Sequence, residues 1–158
     1  MHPAVVTVGA IQGGTTYNII PDSCLIKGTV RTLHEEARAT AEAAIKRLAA
    51  GMDAGMRVSC EVAYHLGVPA LRNDERVLSP VVAAVRHQFG DAIREFEPSL
   101  GGEDFALMAD LVPAFQLRVG SSQPGRNDRL HNSAYQPDER CIGFGVEALS
   151  RAALELLA

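Results

Sequence analysis

Three groups of side chains in this sequence could do chemistry, and each has a plainer explanation to set against it. Asn18 and Arg31 lie thirteen positions apart on either side of a turn. An arginine on a polar strand face can hold a carboxylate through two parallel hydrogen bonds, and an asparagine in a glycine-rich loop adds an amide donor. The same pair also reads as a surface arginine and a turn asparagine. Glu103 and Asp104 follow two glycines and precede a helix, where the helix dipole favours carboxylates. Capping accounts for them as well, and Asp104 fits it best. His131 stands in a loop, Arg-Leu-His-Asn-Ser, between an apolar strand and a final helix. Catalytic and metal-binding groups favour such loops, although a lone loop histidine is otherwise polar surface.

Other chemistries are excluded by what is missing. His2, His34, His65 and His87 show no HxxxH spacing and no Cys-His cluster, so no self-contained zinc site is expected. No GxSxG supports a serine nucleophile. Cys24, Cys60 and Cys141 are odd in number and far apart, with no CxxC. That pattern predicts reduced, mostly buried thiols in a cytoplasmic protein. Residues 1–3 lack the charged and apolar regions of a signal peptide, and no apolar run reaches the roughly 20 residues of a membrane span. A net charge of −4, no tryptophan and 5% aromatic residues argue against a nucleic-acid partner.

The elements that must position these groups follow from patterning. With 47% hydrophobic and 22% charged residues in 158, the chain can bury a core. Residues 4–11 are rich in β-branched side chains and predict a strand almost from the first residue, as in a chain that opens mid-domain. Residues 12–18 form a loop, and Pro21-Asp22 a turn. Residues 24–32 alternate, with Leu25, Lys27, Thr29 and Arg31 on one face. Thr32-Leu33-His34-Glu35 matches a capping box, with a helix to about Ala50 stopped by Gly51. Its inward stripe is Ala37, Ala41, Ala44, Ile45, Leu48 and Ala49. Residues 57–64 alternate as a further strand. The unit is thus most of a βαββαβ sandwich without its first strand and helix.

A boundary falls near residues 67–70. The second unit begins with Asn73 or Asp74 capping a helix to about Phe89, in which Pro80 could mark a later start capped by Ser79. A weak strand at 93–96, a short helix after residue 105, an apolar strand at 114–119 and a polar loop at 121–129 follow. Asp138 caps a last helix carrying Ile142, Val146, Leu149 and Leu156. One or two strands with three helices cannot close a good core alone.

Four motifs in order carry a resemblance: Gly-Gly-Thr-Thr-Tyr-Asn-Ile-Ile-Pro at 13–21, Gly-Thr-Val-Arg at 28–31, Gly-Gly-Glu-Asp-Phe at 101–105 and Leu-His-Asn-Ser at 130–133. Together they resemble the M20 family, and more narrowly its amidohydrolase branch of hippurate hydrolases and N-acyl-amino-acid amidohydrolases. The resemblance implies an α/β protein with an α+β lid. Residues 1–70 would be a partial βαββαβ ferredoxin-like lid or dimerisation domain, and residues 71–158 the C-terminal part of a binuclear-metal α/β catalytic domain. It implies hydrolysis of the amide bond of N-acyl amino acids by metal-activated water, two divalent ions (zinc, manganese or cobalt), and a homodimer formed through the lid. His131 would be the final metal ligand. Asn18 and Arg31 would contact the substrate carboxylate or the tetrahedral intermediate, Gly14 and Thr15 would shape the loop carrying Asn18, and Glu103 would line the site.

The sequence departs from that pattern. The family's Cys-Gly-His-Asp motif, paired glutamates, further histidine ligand and the Gly-Gly-His segment of the lid are not in this chain, and Gln136-Pro137 replaces the usual Asp-Phe. No catalytic base is therefore expected here. The chain alone is expected to be inactive and not to hold the metals. The rival reading is a non-catalytic dimerisation or ligand-binding module from a truncated or degenerate gene.

Overall fold

The computed structural model describes residues 2–126 and 130–158; the end of the expected polar loop, residues 127–129, lies outside them. The chain divides into two compact units, Met1–Ala70 with Pro98–Ala106, and Leu71–Glu97 with Leu107–Ala158.

The first unit is built on an antiparallel hairpin of β1 (Ala4–Gly13) and β2 (Cys24–Thr32). The register shifts between Val8 and Ala10, so Gly9 is the extra residue of a bulge. The bulge changes the phase of the alternation. Val5, Thr7, Ala10 and Gln12 stand opposite Arg31, Thr29, Lys27 and Leu25 on one face, and Val6, Val8 and Ile11 stand opposite Val30, Gly28 and Ile26 on the other. Helix α1 (Glu35–Met56) packs against both strands.

Three expectations for this unit are corrected. Thr32 is no helix cap, because its backbone belongs to β2 opposite Ala4; the cap position falls to His34, which makes no side-chain capping bond. The helix does not stop at Gly51. It continues to Met56 and ends on Arg57 in the left-handed conformation at φ 56. A mid-helix glycine costs only about 1 kcal/mol, and the following Met52, Asp53 and Ala54 tolerate helix. Residues 57–64 form no strand among the described residues. The alternation survives, with Cys60, Val62 and Tyr64 half-buried and their neighbours exposed. The backbone is instead laced to α1: the Cys60 amide donates to Asp53 Oδ1 at 2.6 Å, and Arg38 Nη2 donates to the Gly67 carbonyl at 3.0 Å.

In the second unit α2 (Glu75–Phe89) and α4 (Arg140–Leu157) pack together. A 3-10 turn (Gly90–Ala92) follows α2. The short α3 (Ala106–Ala109) comes between them in the chain, with Ala106 grouped in the first unit and the rest in the second. The core is Val81 and Val85 against Ala148 and Ala152, with Phe89, Ile93, Phe115 and Leu117 packed around it. Helix α2 starts at Glu75 and runs through Pro80, so Ser79 is not a cap; its hydroxyl donates to Glu75 Oε2. Residues 93–96 and 114–119 lack ladder partners among the described residues and form no strands. The second is tied to the start of α2 instead: Gln116 N donates to Asn73 Oδ1 at 2.9 Å and Asp74 N to the Ala114 carbonyl at 2.8 Å.

Both long helices of this unit open on one device, Asp-X-Arg. Asp74 Oδ1 accepts from Arg76 N at 2.9 Å and Asp138 Oδ1 from Arg140 N at 3.0 Å, while each guanidinium folds back onto the same carboxylate. These hydrogen bonds, first those from the guanidinium and then those from the amide, hold both carboxyls down to about 2 from an ordinary 3.8. A carboxyl depressed on folding contributes stability above its ordinary value, and that contribution is lost as pH falls through the folded value. Asp74→Asn and Asp138→Asn are therefore expected to lower the thermal midpoint at pH 6. The gap from the parent chain should close as pH falls from about 4 to about 2. A gap of undiminished size at pH 2 would rule out the charged cap as its source.

Candidate functional site

Arg31 and the loop of Asn18 sit at opposite ends of the hairpin. Gly13 pairs with Cys24 at the closed end, and the loop 14–23 springs from there. Arg31 pairs with Val5, seven residues along β2 from Cys24, about 23 Å at roughly 3.3 Å per residue. The two thus flank the turn with Asn18 in the connecting loop and Arg31 at the far end of β2. The described hydrogen bonds of each are local: Thr16 Oγ1 donates to Asn18 Oδ1 at 3.2 Å, and Arg31 Nη1 donates to the Val30 carbonyl at 3.4 Å. Gly14 has φ 72, in the region that favours glycine, and turns the chain so that its α-carbon faces the Pro21 ring. Thr15 beside it is exposed.

By the register, Lys27, Thr29 and Arg31 share one face of β2, with Thr7 opposite Thr29. Lys27 and Arg31 are both exposed, and neither makes an ion pair among the described residues. The polar face thus offers cationic donors to an anion.

Glu103 clusters with the first unit and is half-buried. Its Oε1 accepts from the Phe105 amide at 3.1 Å and its carbonyl from the Ala106 amide at 3.2 Å. The capping expected of Asp104 is thus done by Glu103, and Asp104 is exposed. The thiols differ from expectation too: Cys24 is exposed, Cys60 and Cys141 half-buried, all three free. The hydrogen bond with Asp53 raises the Cys60 thiol above its ordinary value, which disfavours a thiolate nucleophile.

His131 belongs to the second unit, exposed, on a turn of left-handed backbone at φ 65. Histidine adopts that conformation more readily than most residues, but still at a cost. An exposed imidazole suits one position of a metal centre. Among the described residues, however, no three or more His, Cys, Asp or Glu side chains gather to hold an ion. One donor does not make a centre of four or more, so the described residues fit a ligand and not a site. The residues that sequence reasoning passed over are Ser121, Arg126 and Tyr135, which brace the His131 loop; no spacing signalled them.

The fold and these positions define a mixed α/β chain carrying a cationic hairpin face and a single histidine on a braced loop. Its sequence matches the model of peptidase family M20/M25/M40 over residues 3–155, and the chain belongs to that family. A relative from Synechocystis sp. is 36% identical over 97% of this chain and 40% of its own length. The N-acetylcysteine deacetylase of Bacillus subtilis is 31% identical over 99% of this chain and 40% of its own. Among solved structures, a dinuclear metal-binding peptidase of the M20 family from Bacillus subtilis is similar with a TM-score of 0.81 and 29% identity, covering 98% of this chain and 42% of that one. The chain spans about 40% of the length of the curated relatives it matches. No helix among the described residues is long and apolar enough to cross a membrane.

Proposed function

We propose that this chain is part of a cytoplasmic, metal-dependent hydrolase of the amide bond in N-acyl amino acids or related carboxylate-bearing substrates. The observation that carries the reading is Arg31: a guanidinium without an ion pair among the described residues, on a polar strand face, in a chain of this family. The deacetylase names of several relatives support an acylated amino acid as the substrate class.

In this reading residues 1–70 are the lid, through which a homodimer forms, and residues 71–158 belong to the catalytic domain. Arg31 takes the substrate carboxylate bidentately, and Asn18 adds an amide donor. Gly14 and Thr15 set the loop of Asn18, and Glu103 holds its own turn at the edge of the site. His131 is one ligand of a pair of divalent ions, zinc, manganese or cobalt, which when bound polarise the carbonyl and acidify water. The general base is none of the described residues.

The test is Arg31→Ala in the full-length protein. KM for N-acyl amino acids should rise by about 10- to 100-fold, the worth of a charged hydrogen-bonded pair, while a neutral amide analogue loses little. Equal losses for both substrates would remove the anion grip from the mechanism.

A further inference from the structure

We infer that Ser121, Arg126 and Tyr135 are positioning residues that set the turn of His131 before any ion reaches it, an inference that rests on reading His131 as a ligand. A non-glycine residue at φ 65 does not hold that conformation unaided. Part of the support is local. Asn132 Oδ1 accepts from the Ala134 amide at 2.9 Å, and its carbonyl from the Tyr135 amide at 3.0 Å, closing a turn directly after His131.

The rest comes from the other limb of the loop. Tyr135 Oη and Ser121 Oγ lie 2.6 Å apart, half-buried, and the Asp138 amide donates to the Ser121 carbonyl at 2.8 Å. Above this clasp, Arg126 donates to Gln136 Oε1 at 3.0 Å and to the Ala134 carbonyl at 3.2 Å. Gln123 Nε2 donates to the Pro137 carbonyl at 3.1 Å. The limb leaving His131 is thus tied at 134, 135, 136, 137 and 138 to residues 121, 123 and 126, and His131 itself is exposed. An imidazole held this way has less freedom to lose when it takes a ligand.

The first arm of the test uses the chain without metal. Tyr135→Phe and Ser121→Ala should each move the His131 Cα and Cβ chemical shifts away from left-handed values and speed exchange of the Asp138 amide about tenfold. Ser121→Thr, which keeps the hydroxyl, should restore both. The second arm uses the full-length protein with cobalt(II): affinity read from visible absorption should fall about 10- to 100-fold in Tyr135→Phe, as for partners that orient ligands elsewhere. Left-handed shifts that persist in Tyr135→Phe, or altered shifts with unaltered cobalt affinity, overturn the inference. Unchanged cobalt affinity in His131→Ala is a different failure, that of the ligand reading itself.

Discussion

Alanine at position 28 is expected to destabilise the hairpin by about 1–3 kcal/mol, the range of an overpacked core. A β-carbon there would lie 2.5 Å from the Thr7 carbonyl oxygen on the facing strand. That atom is backbone, so it cannot swing away as the end of a side chain would. The close approach sits beside the bulge: Gly28 is opposite Val8, the last pair before Gly9 breaks the register. The bulge brings Ile11 to the side of Val6 and Val8 and keeps Gln12 with the polar face. Pushing the strands apart at Gly28 therefore strains the one place where the phase changes. A slip of one residue would carry Arg31 to the apolar face, because alternate side chains point to opposite sides. Amide exchange along β1 and β2, with urea unfolding, would show it as faster exchange and a lower midpoint. An unchanged midpoint with full protection of both strands would mean that the approach can open at no cost.

The sequence revealed the hairpin strands, α2 and the last helix because each carries its own periodicity. It did not reveal the bulge, although the apolar positions Val6, Val8 and Ile11 change from even to odd across Gly9. Residues 57–64 show the opposite failure. Their alternation is real and appears in their burial, but a strand also needs a neighbour's free backbone, and side-chain periodicity carries no information about that. The site divides the same way. The Ser121–Tyr135 clasp joins residues fourteen apart that no spacing announces, and the left-handed turn at His131 has no periodicity to mark it. Arg31 was legible as a polar-face cation, but its position at the open end of the hairpin follows from the strand register.

The same limit governs α4. The last helix carries Ile142, Val146, Leu149 and Leu156 at helical spacing. All four are exposed, by 66%, 62%, 63% and 44%, whereas Ala148 and Ala152 are buried. The packed stripe is Cys141, Gly145, Ala148 and Ala152, which starts one residue away, about 100° round the helix. Small side chains there let α4 approach Val81 and Val85 of α2 closely. Phe89 meets Phe144 edge-on at 6.0 Å, and Arg151 spans Gln88 and Glu147. Val81, with no exposed surface, is the centre of this contact. Val81→Asp should cost about 3–5 kcal/mol, the penalty of an uncompensated buried charge. So few buried residues surround it that α2 and α4 are expected to lose protection from amide exchange together. Leu149→Ser in the 158-residue chain should change stability by about 0.5 kcal/mol or less, as an exposed substitution does. The reverse order, with Val81→Asp tolerated and Leu149→Ser damaging, would place the packing on the large apolar stripe and overturn the small-residue contact.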